Sequence, residues 1–288
     1  MKPFLKWAGG KMRLVPRIKT VLPAGRRLVE PFVGSGALFL NTEYADYLLA
    51  DANRDLINCY QQLQRGGTVF IDLCASYFTP ANNQPDAYYT LRTHFNATGD
   101  AVEKAAIFVY LNRHGYNGLC RYNASGGFNV PFGKYARPYF PRDEMIFFGQ
   151  RAARCEFAVA DFVTTLQATA PGDVVYCDPP YVPLSATAHF TSYSADGFPL
   201  ESQRRLAQEA EAASRRGVPV VISNHDMPFT RGIYAGADAH VFFKVQRNIS
   251  CDRLNRAAAA ELLAVFKPHS ATTPPTPPRR QPSLATPN

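Results

Sequence analysis

Leu28-Val29-Glu30-Pro31-Phe32-Val33-Gly34-Ser35-Gly36-Ala37-Leu38-Phe39-Leu40-Asn41 is the stretch on which the fold turns. Leu28–Phe32 is a short apolar strand, Val33–Gly36 a Gly-rich turn, and Ala37–Asn41 reads as a helix. Strand, Gly-rich turn, helix is the layout of a nucleoside-binding α/β unit. Its glycines let the backbone approach a ligand closely. The next strand, Tyr47–Ala50, ends at Asp51, where an acid can accept hydrogen bonds from both hydroxyls of a ribose. A full G-x-G-x-x-G and a Walker lysine are both missing, which weakens dinucleotide and triphosphate readings. A bare Gly-x-Gly is more often only a turn, and the acid closing the next strand is what strengthens it.

Working outward, the alternation of strands and helices continues. Residues 11–22 carry Met12, Val15, Ile18 and Leu22 at helical spacing, with Pro16 required to sit in the first turn or to kink the helix. Helices are expected over 53–65, 85–97 and 100–113. Strands are expected near 155–159, 173–178, 218–223, 239–245 and 260–266, with a helix over 200–214. This pattern implies a mostly parallel sheet covered on both faces. The block from 54 to 143 interrupts the alternation and reads as an inserted helical module, between catalytic segments 1–53 and 144–267. Residues 268–288 hold seven prolines without apolar periodicity and are expected to be disordered.

The second decisive stretch is Asp178-Pro179-Pro180-Tyr181, after the apolar run Val174–Cys177. The strand delivers Asp178 to its C-terminal edge. The prolines remove two backbone donors while keeping their carbonyls as acceptors, and Tyr181 offers a flat face. Such a surface suits a planar ring with an exocyclic amino group, as in a flipped-out adenine. The alternative is a Pro-rich turn after a buried strand. A third stretch, Phe4-Leu5-Lys6-Trp7-Ala8-Gly9-Gly10-Lys11, carries the only tryptophan; Gly9-Gly10 would bring backbone and Lys11 to a ligand, the alternative being a core Trp beside a helix-start lysine.

Composition narrows the class. The formal charge is +8, and Arg279 and Arg280 near the C-terminus supply two of these, leaving +6 on the rest. A basic body suits a polyanionic partner. No apolar run reaches the roughly 18–20 residues of a membrane-spanning helix, and the N-terminus lacks the apolar core of a secretion signal. Six scattered cysteines without C-x-x-C imply reduced thiols in the cytoplasm and no zinc site. None follows a proline, so the Pro-Cys nucleophile of cytosine-C5 methyltransferases is missing. Residues 113–142 interleave Arg113, Arg121, Lys134, Arg137 and Arg142 with seven aromatics on Gly- and Asn-rich loops. Basic and aromatic residues together suit phosphate contact and base stacking; the alternative is an exposed loop with its aromatics tucked under the surface.

Together these stretches, with Tyr110–Arg113, Phe128–Tyr135 and Ser223–Asp226, resemble the Dam-type DNA adenine-N6 methyltransferases, the D12 class in the α group of amino-methyltransferases. The resemblance spans residues 4 to about 266. It implies the seven-stranded, Rossmann-like sheet of S-adenosylmethionine-dependent methyltransferases with one antiparallel strand and an inserted helical DNA-recognition domain. It also implies S-adenosylmethionine as methyl donor, no metal, and duplex DNA as substrate, methylated at adenine N6 within GATC by base flipping and direct in-line transfer.

By the same resemblance, Asp178, Pro179, Pro180 and Tyr181 are catalytic. Trp7, Lys11, Glu30, Phe32, Gly34 and Asp51 surround the donor, Asp178 borders it, and Asp161 and Phe162 flank its adenine. Tyr116 enters the base stack that the target leaves. Asn117, Leu119 and Arg121 read the site, with Lys6, Pro131 and Lys134 at other base edges. The chain departs from the familiar pattern in having Lys134 where that pattern has Arg, and in lacking a Ser-Ser-Asn-Gly-Gly run between Ile249 and Asn255. The nearest rivals are transfer to cytosine N4, RNA or a glutamine amide; a rival from another class is a catalytically silent DNA-binding protein. His225 admits a general-base reading, although a structural cap after its strand is the stronger one.

Overall fold

The computed structural model describes residues 1–183, 198–245 and 259–269. The expectations for Ile249–Asn255 and for the segment beyond 269 lie outside these residues. In chain order the elements are α1 (Val15–Lys19), β1 (Arg27–Glu30), β2 (Asp46–Asp51), α2 (Arg54–Ser76), α3 (Pro85–Ala97), α4 (Ala101–His114), α5 (Arg142–Ala152), β3 (Cys155–Val159), α6 (Phe162–Gln167), β4 (Asp173–Cys177), α7 (Leu200–Arg215), β5 (Val220–His225), α8 (Pro228–Ile233), β6 (Ala239–Val245) and β7 (Ala259–Phe266).

Among the described residues the sheet has seven strands in the order β3-β2-β1-β4-β5-β7-β6. β7 runs antiparallel to both neighbours, and the other pairings are parallel. This is the expected methyltransferase sheet. The chain moves outward from β1 through β2 to β3, returns to β4, and then moves the other way. The reversal opens a crevice at the C-terminal ends of β1 and β4, where open α/β sheets bind ligands. At the opposite edge, Arg27 donates two bonds of 2.8 Å to Asp173, which lock the first residues of β1 and β4 in register.

The two faces of the sheet bury different sets. Leu28, Tyr47, Leu49, Val174, Tyr176, Val221 and Leu263 share one core with α2, α3, α4 and α5. Val29, Leu48, Val175, Cys177, Val220, Ile222, Leu262 and Ala264 pack on α7 and Leu166 of α6. The alternation is the period-two consequence of the pleat. Residues 105–114 of α4 are all buried, which explains the unbroken apolar run Ala105–Leu111. Asp100 caps α4 through the backbone N–H groups of Val102 and Glu103.

Some local expectations need correction. Pro16 lies in the first turn of α1, one of the two outcomes allowed. Ala37–Asn41 is not an α-helix; it holds a 3-10 turn over Phe39–Asn41. The helix expected over 53–65 runs to Ser76, because Gly67 takes φ +48° and kinks the chain without ending the helix. Helices α5, α6 and α8 were not anticipated; each is short and polar enough to hide its period.

Candidate active site and recognition face

The C-terminal edge of the sheet collects the acids. Register places Ser223 beside Asp178, since Cys177 pairs with Ile222. The Ser223 hydroxyl donates to Asp178 Oδ1 at 2.9 Å, and Tyr176 donates to Ser223 Oγ at 3.0 Å. Lys11 Nζ lies 3.0 Å from Asp178 Oδ1, donates to the Gly9 carbonyl at 3.0 Å, and stands 4.1 Å from the centroid of the Tyr181 ring. Burial pushes the Asp178 carboxyl above its ordinary value, while the Lys11 ammonium and the Ser223 hydroxyl hold it down.

Tyr181 is fixed from two strands. Its hydroxyl donates to Glu261 Oε2 at 3.1 Å, and its ring meets His225 edge-on at 4.8 Å. His225 Nδ1 is 2.7 Å from the Val182 carbonyl. A carbonyl only accepts, so Nδ1 carries the proton. Asn224 accepts from the Val182 N–H at 3.2 Å. The Ser-Asn-His run therefore clamps the turn after β4, in line with the structural reading of His225. Gln203 donates to the Pro180 carbonyl at 2.7 Å, which commits that acceptor to the fold. The sequence gives Ser223 only as part of the resembling stretch Ser223–Asp226, with no role, and does not single out Gln203 or Glu261; a lone acid within Ala259–Phe266 is the one available signal for Glu261.

Glu30 ends β1 and is 3% exposed. The Phe39 backbone N–H donates to its carboxyl, but Oε1 is buried with no partner among the described residues. Burial drives this carboxyl up to about 8, with the Asp178 charge adding to the effect. The folded protein thus keeps a proton that the unfolded chain releases near 4.5, so stability contributed here is lost as pH rises towards 8. The melting temperature is expected to fall across that window, and Glu30→Gln to flatten the slope. An equal slope in both proteins would remove Glu30 as its source.

The turn after β1 meets the N-terminal segment. Gly34 has φ +47°, and a Cβ there would lie 2.9 Å from Trp7 Nε1, so glycine is required on both counts. Its N–H donates to Asp51 Oδ2 at 3.0 Å, and the Asn53 N–H donates to Asp51 Oδ1 at 2.9 Å. The Ala52 N–H bonds the same carboxylate, so about one of its roughly four acceptor sites stays open. Phe32 stacks on Phe162 at 5.7 Å and meets Phe198 edge-on at 5.6 Å. Asp161 caps α6 through the Thr164 N–H at 2.7 Å; it is the Phe162 ring that faces Phe32.

The other residues gather beside the end of α4. Asn112 exchanges two bonds with the Lys6 backbone at 2.8 and 2.7 Å, and Arg113 donates to the Phe4 carbonyl at 2.6 Å. These bonds hold Lys6 on one side of the segment and Trp7 on the other. Lys6 Nζ lies 4.2 Å from the centroid of Tyr135, whose hydroxyl accepts from the Asn117 N–H at 2.9 Å. Tyr116 is exposed, and its N–H donates to the Pro131 carbonyl at 2.8 Å. Arg121 is exposed, its Nε donating to Asn129 Oδ1 at 2.8 Å. Leu119 is half-buried and packs at the edge of the core. Asn117 at φ +54° and Lys134 at φ +56° are the non-glycine residues with positive φ among those described. Such strain gathers where a loop has a binding task.

A family model described as D12 class N6 adenine-specific DNA methyltransferase matches residues 7–264. A DNA adenine methylase of Vibrio cholerae is 49% identical over 269 residues, 93% of this chain and 97% of that protein. The DNA adenine methylase of Escherichia coli is 47% identical over 267 residues, 93% of this chain and 96% of its own length. That of Serratia marcescens is 47% identical over 267 residues, 92% and 98% of the two chains.

Proposed function

The chain belongs to the D12 class N6 adenine-specific DNA methyltransferases, and from that premise we propose that it methylates adenine N6 within GATC in duplex DNA, on a target base flipped out of the helix. The enzyme class and its use of S-adenosylmethionine follow from family and fold. The site, the division of labour among residues and the recognition sequence complete this reading. The observation that carries them is the Asp178 carboxylate at the edge of β4, held by Ser223, beside the fixed ring of Tyr181.

The nitrogen lone pair of an adenine amino group is delocalised into the ring and nucleophilically weak. Asp178 and the Pro179 carbonyl accept its two N–H bonds, which draws the nitrogen towards tetrahedral geometry and frees the lone pair. Tyr181 stacks on the base. Lys11 now stands against both the carboxylate and the ring; its charge favours the ionised carboxyl against the effect of burial, and it yields this place to the entering base. Positioning and fixed charge supply most of the acceleration.

The residues present fit the methyl donor. Asp51 keeps an open acceptor site for a ribose hydroxyl, the unpartnered Glu30 Oε1 suits a hydrogen-bond donor or, once a bound cation has ionised the carboxyl, that cation, and Trp7 and Gly34 lie between them. Phe32 and Phe162 offer an apolar face for an adenine. When bound, S-adenosylmethionine supplies an electrophilic methyl group on its sulfonium. Residues 54–143 carry the DNA-recognition segment, with Tyr116 filling the space in the base stack and Asn117, Leu119, Arg121, Pro131, Lys134 and Lys6 at base edges.

Incubation with tritiated S-adenosylmethionine and a panel of duplexes, followed by mapping of the labelled base, tests this reading. Label on adenine N6 of GATC is expected; label on cytosine or on RNA alone would replace it. Asp51→Ala is expected to weaken S-adenosylmethionine binding by about 1.5–3 kcal/mol, the worth of hydrogen bonds to a charged group, with far less effect on DNA affinity. Equal donor affinity by calorimetry would take Asp51 out of the site.

A further inference from the structure

Arg121 lies between two residues whose side chains reach the N-terminus of α2. Asn53 Nδ2 donates to Cys120 Sγ at 3.4 Å, and the Tyr122 hydroxyl donates to Asp55 Oδ2 at 2.7 Å. The same hydroxyl is 3.5 Å from Asn53 Oδ1 and 3.8 Å from Cys120 Sγ; the short bond to the carboxylate is the strong one. Exposure alternates along this stretch, with Cys120 and Tyr122 partly buried and Arg121 exposed. Alternate side chains of an extended stretch point opposite ways. Anchoring residues 120 and 122 on α2 therefore directs residue 121 outward.

The anchor is also tied to the donor side. Asn53 follows Asp51 by two residues. Its N–H donates to Asp51 Oδ1, and its Oδ1 caps α2 through the Leu56 N–H at 3.0 Å. One side chain thus touches both the start of α2 and the recognition loop, while its backbone touches the acid assigned to the ribose. Hydroxyls arriving on Asp51 would share its lone pairs with that N–H. Recognition and donor segments are far apart in sequence, and the bonds here bridge 67 residues.

We infer that Asn53, Cys120 and Tyr122 form a positioning relay that links donor binding at Asp51 to the aim of Arg121; this rests on the functional reading above. Tyr122 and Cys120 touch neither donor nor base. They act through Arg121 and Asn53, and their effect is a linkage between two ligands. Linkage is reciprocal: a duplex that changes donor affinity by some factor has its own affinity changed by the same factor.

The test measures binding of S-adenosylhomocysteine to the full chain by calorimetry, free and with a GATC duplex. It also measures duplex affinity with and without S-adenosylhomocysteine. In the native protein the duplex is expected to change the affinity about fivefold or more, and the reverse measurement to give the same factor. Tyr122→Phe loses the bond to Asp55 but keeps the ring edge on Phe128, 5.7 Å away at 86°. It is expected to bring both factors to within about twofold of one. Cys120→Ala, which leaves the Tyr122–Asp55 bond in place, should lower them in the same direction by less. A native factor near one, or a native factor retained in Tyr122→Phe, overturns the relay while leaving the functional reading intact. Failure of the native chain to bind either S-adenosylhomocysteine or duplex overturns both.

Discussion

Asp178→Asn is expected to lower kcat by about 10²–10³-fold, the usual cost of removing one fixed group that stabilises developing charge, while duplex affinity stays near native. The amide still accepts one bond, but it cannot carry the charge that a nitrogen losing a proton requires. No phosphate contact is assigned to Asp178, so DNA binding has no reason to fall. The confounding effect is stability. Lys11 and Asp178 are both largely buried, their side chains 12% and 21% exposed, and removing one partner of a buried pair costs about 3–5 kcal/mol at the upper end. Asp178→Asn with Lys11→Met removes both charges and controls for that loss. A melting curve separates poor folding from poor chemistry. If Asp178→Asn kept about a tenth of native kcat in single-turnover assays, far above the loss expected for such a group, the carboxylate would not be the acceptor.

The strands were legible because buried strands write themselves as apolar runs. Val174–Cys177, Tyr47–Ala50 and Ala259–Phe266 appear in the structure within a few residues of where the sequence places them. The halves of α2 were not legible as one helix, since Gly66-Gly67 looks like a break. In space, Phe70, Ile71 and Cys74 beyond it are buried in the same core as Leu56 and Tyr60, and tertiary packing outweighs the local preference. Neighbours of Asp178 were harder still. Ser223 is 45 residues away and Glu261 is 80 residues from Tyr181. Strand order alone brings them together, and strand order comes from the pairing of β4 with β5 and of β5 with β7. The relation of Trp7 to Gly34 was half visible: both were candidates, but their contact depends on Asn112 and Arg113 holding the N-terminal segment.

Arg121→Ala is expected to relax discrimination at one guanine of the recognition site by about 1–3 kcal/mol, the worth of a bidentate pair. Its Nε is already given to Asn129 Oδ1, and one terminal nitrogen lies 3.3 Å from the Asn129 carbonyl. A guanidinium has five N–H donors in a rigid fork, so the remaining donors still span guanine O6 and N7. Asn129 thus holds the fork before DNA arrives, and less rotamer entropy is lost on binding. Lys134 is different. It stands at φ +56°, which fixes the direction of its Cβ, but its ammonium is a point charge on a flexible stem. Lys134→Ala should therefore cost less discrimination than Arg121→Ala, and Lys134→Arg should sharpen selectivity at its base pair. The measurement compares kcat/KM on GATC with every single-base variant for each protein. Selective loss of discrimination at one position supports Arg121 as a reader of bases. A uniform fall on all sequences, with a shallower salt dependence, would instead make it a phosphate contact, because a phosphate presents the same charge whatever base it carries.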